Sequence, residues 1–379
     1  MEKQSIISGF KKTFNEEPTH YLESGGRFEL LGNHTDHNHG KTLASTCSLV
    51  IAASFKKEEN NLLRFYSLNN CEFVTSLDDV SIKQEEIGTT VGLVKGVAAY
   101  FKEHGYKYGG FSIYMESSVP PGAGVSSSAA FEVLIGKVLN VLYNDEKVSL
   151  LDICKAGQFS ENNYFGKASG LLDQIACASM GVSYIDFGNI VNPEIRILKE
   201  DFKGYHFVIV DTGKSHADMS DIYSSIPNDM YAAAKAMGHQ FLREGSKAEL
   251  EKIKDKLPLI QYQRALHFYN ENERVAAALL ALEHHDMDLF LNCVNGSENS
   301  SRNLLHNAMI NDEYEGSLAQ AIDRSNEAMN HEGATKINGG GFAGTIIAIV
   351  PDKHYEKYLK VMQGCYGVNH VFSVTSLNK

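Results

Sequence analysis

The chain has 379 residues, which is long enough for two domains, and 43% of them are hydrophobic, which argues against global disorder. Its formal net charge of -12 argues against sequence-independent binding to nucleic acid or to an anionic membrane, although it allows a local basic pocket. The six cysteines are scattered without a Cys-x-x-Cys pair, so we expect neither a disulfide framework nor a zinc site.

The first 22 residues have the pattern of an amphipathic helix followed by a connector. They lack the long apolar core of a signal peptide, and no apolar run in the sequence reaches the length of a membrane span. We therefore expect a cytoplasmic protein that has neither a membrane nor a nucleic acid among its partners.

A polar segment at residues 33–40 lies between two strand-like segments, at residues 25–32 and 43–55. Such a segment between core strands is more often a functional site than a solvent-exposed loop. Its three histidines raise the alternative of a metal site, but neither a cysteine nor a glutamate completes a ligand set. Because aspartate, asparagine and threonine alternate with the histidines, we favour hydrogen bonds to sugar hydroxyl groups.

A loop rich in glycine and serine, at residues 119–130, separates a predicted strand from a predicted helix. Residues 110–116 alternate between apolar and polar side chains, and apolar residues recur at helical spacing over residues 131–143. The glycines let the backbone approach a ligand, and serines 126–128 can cap the helix or hold a metal ion. The pattern is typical of a phosphate-binding site, and an ordinary turn with a serine-capped helix stays open as the alternative.

Two better-known nucleotide motifs are excluded. Gly40-Lys41-Thr42 matches the end of a Walker loop, but Thr35 stands where its first glycine is required. Residues 339–344 match the dinucleotide fingerprint, but a strand-like apolar run follows at residues 345–351, where that fingerprint needs a helix.

Asp173 and Gln174 are polar residues inside an otherwise apolar segment, residues 171–177. A carboxylate in this setting is either a buried structural cap or a catalytic base, and the pattern alone slightly favours the cap. A charged stretch at residues 199–204 predicts a domain boundary near residue 200.

Three motifs carry a family resemblance. Residues 26–40, Gly-Arg-Phe-Glu-Leu-Leu-Gly-Asn-His-Thr-Asp-His-Asn-His-Gly, resemble the galactokinase signature, usually Gly-Arg-Val-Asn-Leu-Ile-Gly-Glu-His-Thr-Asp-Tyr-Asn-x-Gly. The loop at residues 119–130 is similar to the phosphate motif of the GHMP kinases, and residues 336–344 are similar to their third motif. Residues 262–274 also resemble a helix of galactokinases. Because the motifs occur in the family's order over nearly the whole chain, the resemblance is specific.

The resemblance implies an α+β, two-domain GHMP kinase fold with the active site in the cleft between the domains. Residues 1–200 would form a domain like ribosomal protein S5, and residues 201–379 a ferredoxin-like α/β sandwich. The implied activity is that of a sugar 1-kinase, which transfers the γ-phosphoryl group of ATP to the anomeric hydroxyl of galactose. The product would be galactose 1-phosphate, in the Leloir pathway, with ATP and Mg²⁺ as cofactors. We expect a monomer or weak oligomer whose partners are the sugar and ATP.

The resemblance also implies roles for individual residues. Asp173 matches the family's catalytic base, and Arg27 matches the cation beside it. Such roles agree with phosphoryl transfer, which depends mainly on positioning and charge neutralisation. Ser128 and Glu161 match the magnesium ligands. The residues that fall on sugar-contacting positions are Asn33, His34, Asp36, Gly170 and Tyr223. The residues of the ATP-binding loop are Gly122, Ala123, Gly124, Val125, Ser126, Ser127, Ser128 and Ala129.

Some positions depart from the family. Asn33 replaces the glutamate of the signature, and His37 replaces its tyrosine. In the third motif, Lys336 replaces an arginine and Asn338 replaces a threonine. Thr90 stands where galactokinases often have a tryptophan beside the adenine, and the chain has no tryptophan. Asn33 weakens the case for galactose itself.

Two alternatives to a galactokinase therefore stay open. One is a 1-kinase for a modified galactose, such as galacturonate or N-acetylgalactosamine. The other is a galactose-sensing regulator without activity, as in yeasts. Those sensors have lost the Ser-Ala pair of the phosphate motif, whereas Ser128-Ala129 is intact here, so we favour an enzyme.

Overall fold

The computed structural model describes residues 2–68, 71–119, 124–167, 169–213 and 220–378. The predicted α+β class is confirmed. The strands are β1 (His20–Leu31), β2 (Lys41–Lys57), β3 (Leu62–Ser67), β4 (Cys71–Ser76), β5 (Phe111–Ser117), β6 (Val182–Asp186), β7 (Glu194–Leu198), β8 (Tyr205–Asp211), β9 (Ala334–Asn338), β10 (Thr345–Pro351) and β11 (Val371–Val374). The α-helices are α1 (Lys3–Phe14), α2 (Thr90–Glu103), α3 (Ser127–Tyr143), α4 (Leu150–Ser160), α5 (Leu172–Ala178), α6 (Ser220–Ala236), α7 (Lys247–Lys252), α8 (Leu259–Glu283), α9 (Met287–Ser300), α10 (Leu318–Ala328) and α11 (Tyr355–Tyr366).

The described chain divides into two compact units, neither of which is continuous in sequence. The first unit consists of Met1–Arg27, Thr46–Pro121 and Ser126–Met180, and the second of Phe28–Ser45, Gly122–Val125 and Gly181–Lys379. β2 pairs with β5 through residues 51–57 and with β6 through residues 41–45. The predicted domains, residues 1–200 and 201–379, differ from these units, because one charged stretch carries no information about strands that contribute to both. They stay a prediction.

In the first unit, a sheet has the strand order β4-β3-β5-β2, with β3 and β5 parallel and the other pairs antiparallel. Helix α4 packs against α2, α3 and α5. Gly157 of α4 lies against Glu132 of α3 and Gln174 of α5, where an added Cβ atom would lie 3.1 Å from both side chains. The missing side chain therefore lets polar residues of three helices approach one another closely.

In the second unit, four antiparallel strands have the order β11-β8-β10-β9. Apolar side chains of β8 and β10 form a core with α10 and α11 that includes Val208, Ile322 and Tyr358. A second apolar cluster joins α6 and α8 and includes Phe268 and Phe342. Because Phe342 belongs to the connection between β9 and β10, this cluster anchors the glycine run of that connection.

Several predicted elements are confirmed, among them the strand and the helix on either side of the glycine- and serine-rich loop, which are β5 and α3. The apolar run after residue 344 is β10, a buried strand, as its composition predicts. In the described part of the chain, no helix has both the length and the apolar character that a membrane span requires.

We predict that Gly96→Ala destabilises the first unit. Gly96 lies in α2, and a Cβ atom there would lie 2.8 Å from Ser160 Cα in α4, so the two helices must move apart. Overpacking of this kind costs about 1–3 kcal/mol, more than the roughly 1 kcal/mol that alanine gains over glycine in a helix. The midpoint of urea denaturation should therefore fall.

The matched control is Gly364→Ala in α11, where an added Cβ atom meets no atom of the described residues within 4 Å. This variant gains helix propensity without a clash, so its midpoint should stay the same or rise. Equal midpoints for the two variants would contradict the close approach of α2 and α4.

Candidate active site

Asp173 forms an ion pair with Arg27. Arg27 Nε donates to Asp173 Oδ1 at 2.7 Å, and its terminal nitrogen donates to Oδ2 at 3.3 Å. The Asp173 side chain is 32% exposed and that of Arg27 is 8% exposed. Burial opposes ionisation of Asp173, but the charge of Arg27 and the hydrogen bonds from Ser126 and Arg27 outweigh it and hold the pKa of the carboxyl below its usual range. The site therefore presents an ionised carboxylate that is partly open to solvent.

Asp173 does not serve as a helix cap. The residue at the N-cap of α5 is Leu171, without a side-chain hydrogen bond, and Asp173 lies in the first turn. The sequence pattern alone slightly favours the capping role, because it gives no sign that a cation and a hydroxyl 146 and 47 positions away reach this carboxylate.

Ser126 links the start of α3 to the same carboxylate. Its hydroxyl donates to Asp173 Oδ2 at 2.5 Å. Its backbone has a φ of 55°, in the left-handed region that a residue with a side chain rarely adopts, and it makes no side-chain capping bond to α3. The hydroxyl that could cap the helix therefore orients Asp173 instead.

Ser128 and Glu161, the predicted magnesium ligands, lie together. Ser128 Oγ donates to Glu161 Oε1 at 2.9 Å, and Gln174 Nε2 donates to Glu161 Oε2 at 3.1 Å. Lys167 Nζ lies 2.8 Å from Glu161 Oε1. The described residues contain no cluster of three or more histidine, cysteine, aspartate or glutamate side chains that could hold a metal. A carboxylate beside a hydroxyl nevertheless fits Mg²⁺, which binds few protein oxygens when phosphates supply the others.

The predicted ATP-binding loop is described in part. Gly122 and Ala123 lie outside the described residues. Gly124 has a φ of 65° and lies against the Thr345 side chain, which would clash with an added Cβ atom. The loop residues 127–129 form the first turn of α3. A helix start of this kind offers free amides to an anion.

Three predicted sugar-contacting residues hold the glycine run after β9. Asn33 Nδ2 donates to the carbonyl of residue 339 at 2.7 Å, and His34 Nε2 to that of residue 340 at 2.8 Å. Tyr223 Oη donates to the carbonyl of residue 341 at 2.8 Å. Three consecutive carbonyl groups thus bring Tyr223 together with Asn33 and His34, which are distant from it in sequence.

Asn33 is held within the protein on both sides of its amide. Besides its bond to the glycine run, Nδ2 donates to Glu29 Oε1 at 3.1 Å, and Oδ1 accepts from Asn307 Nδ2 at 2.8 Å. Lys336 Nζ donates to the same oxygen of Glu29 at 2.9 Å. All four side chains are buried. In this conformation both amide hydrogens of Asn33 have protein acceptors, so its predicted contact with a sugar would need a rearrangement.

His34 and Asp36 are linked through His37. His34 Nδ1 lies 3.4 Å from His37 Nε2, and His37 Nδ1 lies 3.1 Å from Asp36 Oδ1. Burial, followed by repulsion from His37, lowers the pKa of His34 to about 3, so this imidazole is neutral at physiological pH. A neutral His34 that donates from Nε2 has an Nδ1 atom that accepts.

The remaining predicted sugar residue, Gly170, is exposed and lies three residues before Asp173, in the first unit. Sequence reasoning did not single out Glu29, Asn307 or Lys167. Glu29 could have been found, because it replaces the asparagine of the signature. Asn307 carries no signal in sequence, because its partner Asn33 is 274 positions away. Lys167 looks like an ordinary solvated lysine of a loop.

Comparisons with known proteins agree with these motifs. The family described as GHMP kinases N terminal domain matches residues 92–181, and the Galactokinase galactose-binding signature matches residues 8–57. A galactokinase from Clostridium perfringens is 30% identical over 97% of this chain and 94% of its own length. A galactokinase from Exiguobacterium sibiricum is 28% identical over 97% of this chain and 93% of its own length.

Solved structures confirm the predicted GHMP kinase fold. The crystal structure of Lactococcus lactis galactokinase complexed with galactose matches with a TM-score of 0.84 and 24% identity, over 99% of this chain and 98% of its own. That of Methanococcus jannaschii mevalonate kinase matches with a TM-score of 0.66 and 17% identity, over 95% of this chain and 98% of its own. With a relative at 30% identity over almost the full length of both proteins, the chain belongs to the galactokinase family of GHMP kinases.

Proposed function

We propose that this protein is a galactokinase, which transfers the γ-phosphoryl group of ATP to the anomeric hydroxyl of galactose and releases galactose 1-phosphate. The observation that carries the proposal is the carboxylate of Asp173, which Arg27 and Ser126 keep ionised while part of it stays open to solvent. An ionised carboxylate can accept or orient the proton of a sugar hydroxyl.

The residues around Asp173 have complementary roles in this proposal. Arg27 keeps the base ionised and offsets negative charge that develops as the hydroxyl is deprotonated. The first turn of α3 would offer its backbone amides to the phosphates of ATP. Ser128 and Glu161 would hold Mg²⁺, which neutralises charge on the phosphates when it is bound.

Sugar recognition in this proposal involves the polar segment. His34 and Asp36 are the side chains proposed to contact hydroxyl groups, together with Tyr223 and the backbone at Gly170. Asn33 would act mainly through the glycine run that it holds. A cytoplasmic location and a monomeric or weakly oligomeric state stay predictions.

The direct test is product formation. The purified protein is incubated with ATP, Mg²⁺ and each of a panel of sugars, namely galactose, galacturonate, N-acetylgalactosamine, arabinose and glucose, and sugar 1-phosphate is detected by ³¹P NMR. Galactose 1-phosphate as the main product supports the proposal. Galactose binding without any product would favour the non-catalytic sensor, and a product only from a modified galactose would favour that kinase.

We predict that Asp173→Asn abolishes turnover but leaves the protein folded and able to bind sugar. The amide has nearly the same shape but cannot accept a proton, so kcat should fall by about 10²–10⁴-fold or more. The readouts are the steady-state rate and galactose binding by calorimetry. The control is Asp152→Asn, which changes another carboxylate of the first unit, at the start of α4, that accepts hydrogen bonds from Tyr106 and Ser149. A near-normal rate for the Asp173 variant would exclude its role as base.

We predict that Ser128→Ala raises the concentration of Mg²⁺ or ATP needed for half-maximal rate by about tenfold, the value of one hydrogen bond or ligand contact. The reason is that Ser128 contacts the buried carboxylate of Glu161. Sugar affinity should change little. Ser8→Ala on α1 is the control, since its hydroxyl bonds only the backbone of its own helix in the described structure. Lost sugar affinity with unchanged nucleotide binding would contradict the role of this loop.

We predict that Asn33→Glu destabilises the protein, because a second carboxylate would lie beside Glu29 and oxygen would face the carbonyl of residue 339. Loss of about 3–5 kcal/mol is typical of an uncompensated buried charge. The double variant Glu29→Asn/Asn33→Glu restores the order of the galactokinase signature with one carboxylate, and it should recover most of the stability. Urea denaturation of the two single variants and the double variant measures the coupling.

The same double variant tests the sugar preference. If Asn33 makes the site tolerant of a C6 carboxylate, the wild type should phosphorylate galacturonate, and the double variant should lose this activity while it keeps galactose turnover. We favour galactose as the substrate. If the wild type does not turn over galacturonate, the hypothesis that the site tolerates a C6 carboxylate is wrong.

A further inference from the structure

The side chain of Lys167 bonds the same oxygen that the proposed metal ion needs. Lys167 follows α4 and the π-helical turn Glu161–Phe165, and its ammonium lies 2.8 Å from Glu161 Oε1. Ser128 donates to that oxygen as well, at 2.9 Å. The Lys167 backbone amide donates to the Glu161 carbonyl at 3.1 Å, so the chain folds back onto Glu161 through both its backbone and its side chain.

Exposure differs sharply between the two partners. The Glu161 side chain is 2% exposed, whereas the Lys167 side chain is 58% exposed. The ammonium can therefore leave the carboxylate without unpacking the core. The carboxylate cannot follow it, because Gln174 Nε2, which is fully buried, holds its other oxygen at 3.1 Å.

The charges of this region are balanced in the structure. Three carboxyl groups are present, those of Glu132, Glu161 and Asp173, and the cations are Arg27 and Lys167. Glu132 is fully buried and accepts from Gln174 at 3.1 Å; burial and the charge of Glu161 raise its pKa to about 9, so it is neutral at physiological pH. The formal charges of the other two carboxylates are thus matched by those of the two cations. A divalent ion at Glu161 would add two positive charges to these four side chains, whose formal charges sum to zero.

This inference rests on the proposed function, which assigns Glu161 and Ser128 to the metal. We propose that Lys167 holds Glu161 Oε1 in the metal-free protein and is displaced from this oxygen when a divalent cation binds. One carboxylate oxygen with two partners already in place has no room for an ammonium and a cation together. Lys167 therefore holds a buried carboxylate in position before the metal arrives, and it lowers the affinity for the metal by competing with it.

Binding of Mn²⁺ in the absence of nucleotide tests the displacement. Free Mn²⁺ is counted by electron paramagnetic resonance in titrations of the wild type, Lys167→Met and Glu161→Gln. Because methionine has a similar shape but no charge, Lys167→Met should bind Mn²⁺ about two- to fivefold more tightly, the usual size of a partly exposed ion pair. The matched control is Lys147→Met, which removes an exposed lysine 3.2 Å from Asp145 and should leave Mn²⁺ affinity unchanged.

A second measurement needs no loss of Lys167 from the protein under test. Lysines are reductively methylated with ¹³C-formaldehyde, and the signal of Lys167 is assigned through its absence in Lys167→Arg. Addition of Mg²⁺ should shift this signal and leave that of Lys147 in place. Unchanged or weaker Mn²⁺ binding by Lys167→Met, or an unshifted signal, would overturn the displacement.

The outcomes separate this inference from the proposed function. If Glu161→Gln binds Mn²⁺ as the wild type does, the metal assignment fails and the displacement fails with it. If the wild type forms galactose 1-phosphate and Glu161→Gln loses Mn²⁺, but Lys167→Met binds Mn²⁺ like the wild type, the function stands and only the role of Lys167 is wrong.

Discussion

The ion pair between Arg27 and Asp173 is the interaction on which the proposed chemistry depends. A carboxylate with two-thirds of its surface buried would be driven toward its neutral form if no cation faced it. Arg27 comes from β1 and Asp173 from the first turn of α5, so a strand and a helix must both be in place before the charge is stable. Ser126 adds the start of α3 to this arrangement. The proposed base and the first turn of the helix that is proposed to bind phosphate are therefore positioned by the same contacts.

Another ion pair, between the buried side chains of Glu29 and Lys336, explains how this chain departs from the galactokinase signature and still keeps one carboxylate in the segment. The signature has an asparagine and, four residues later, a glutamate; this chain has Glu29 and Asn33, the same two residue types in the reverse order. Lys336 and Asn33 both donate to one oxygen of Glu29. Compared with the signature, the carboxylate therefore stands earlier in the sequence, on β1, and its cation, Lys336, lies on β9. The Asn33 amide donates a hydrogen bond to the glycine run, and a glutamate at this position would lack that donor.

The parts of the structure that can be predicted from the sequence are those determined by side-chain patterns within one helix or strand. Alternation and helical spacing predict β5, α3 and β10 because their side chains pack on one or two faces of a single element. The pairing of Arg27 with Asp173 followed only from the family resemblance, since the two are 146 positions apart. The hydrogen bonds of Asn33 reach residues 274 and 306 positions away, and no periodicity reports them. Lys167 was missed for another reason: an isolated lysine in a loop usually has a solvated side chain.

The discontinuous make-up of the second unit has a consequence for biosynthesis. Residues 28–45 leave the ribosome early, yet their partners include Asn307, Lys336 and the glycine run, which emerge some 270 residues or more later. During that interval the polar segment lacks its contacts with these residues. The first part of β2 has no pairing with β6 until residues 182–186 have been made, and a strand edge left unpaired in this way is prone to misassociate. Contacts of such long sequence separation also slow folding. Nascent chains stalled before residue 307 should therefore depend on chaperones far more than the finished protein does.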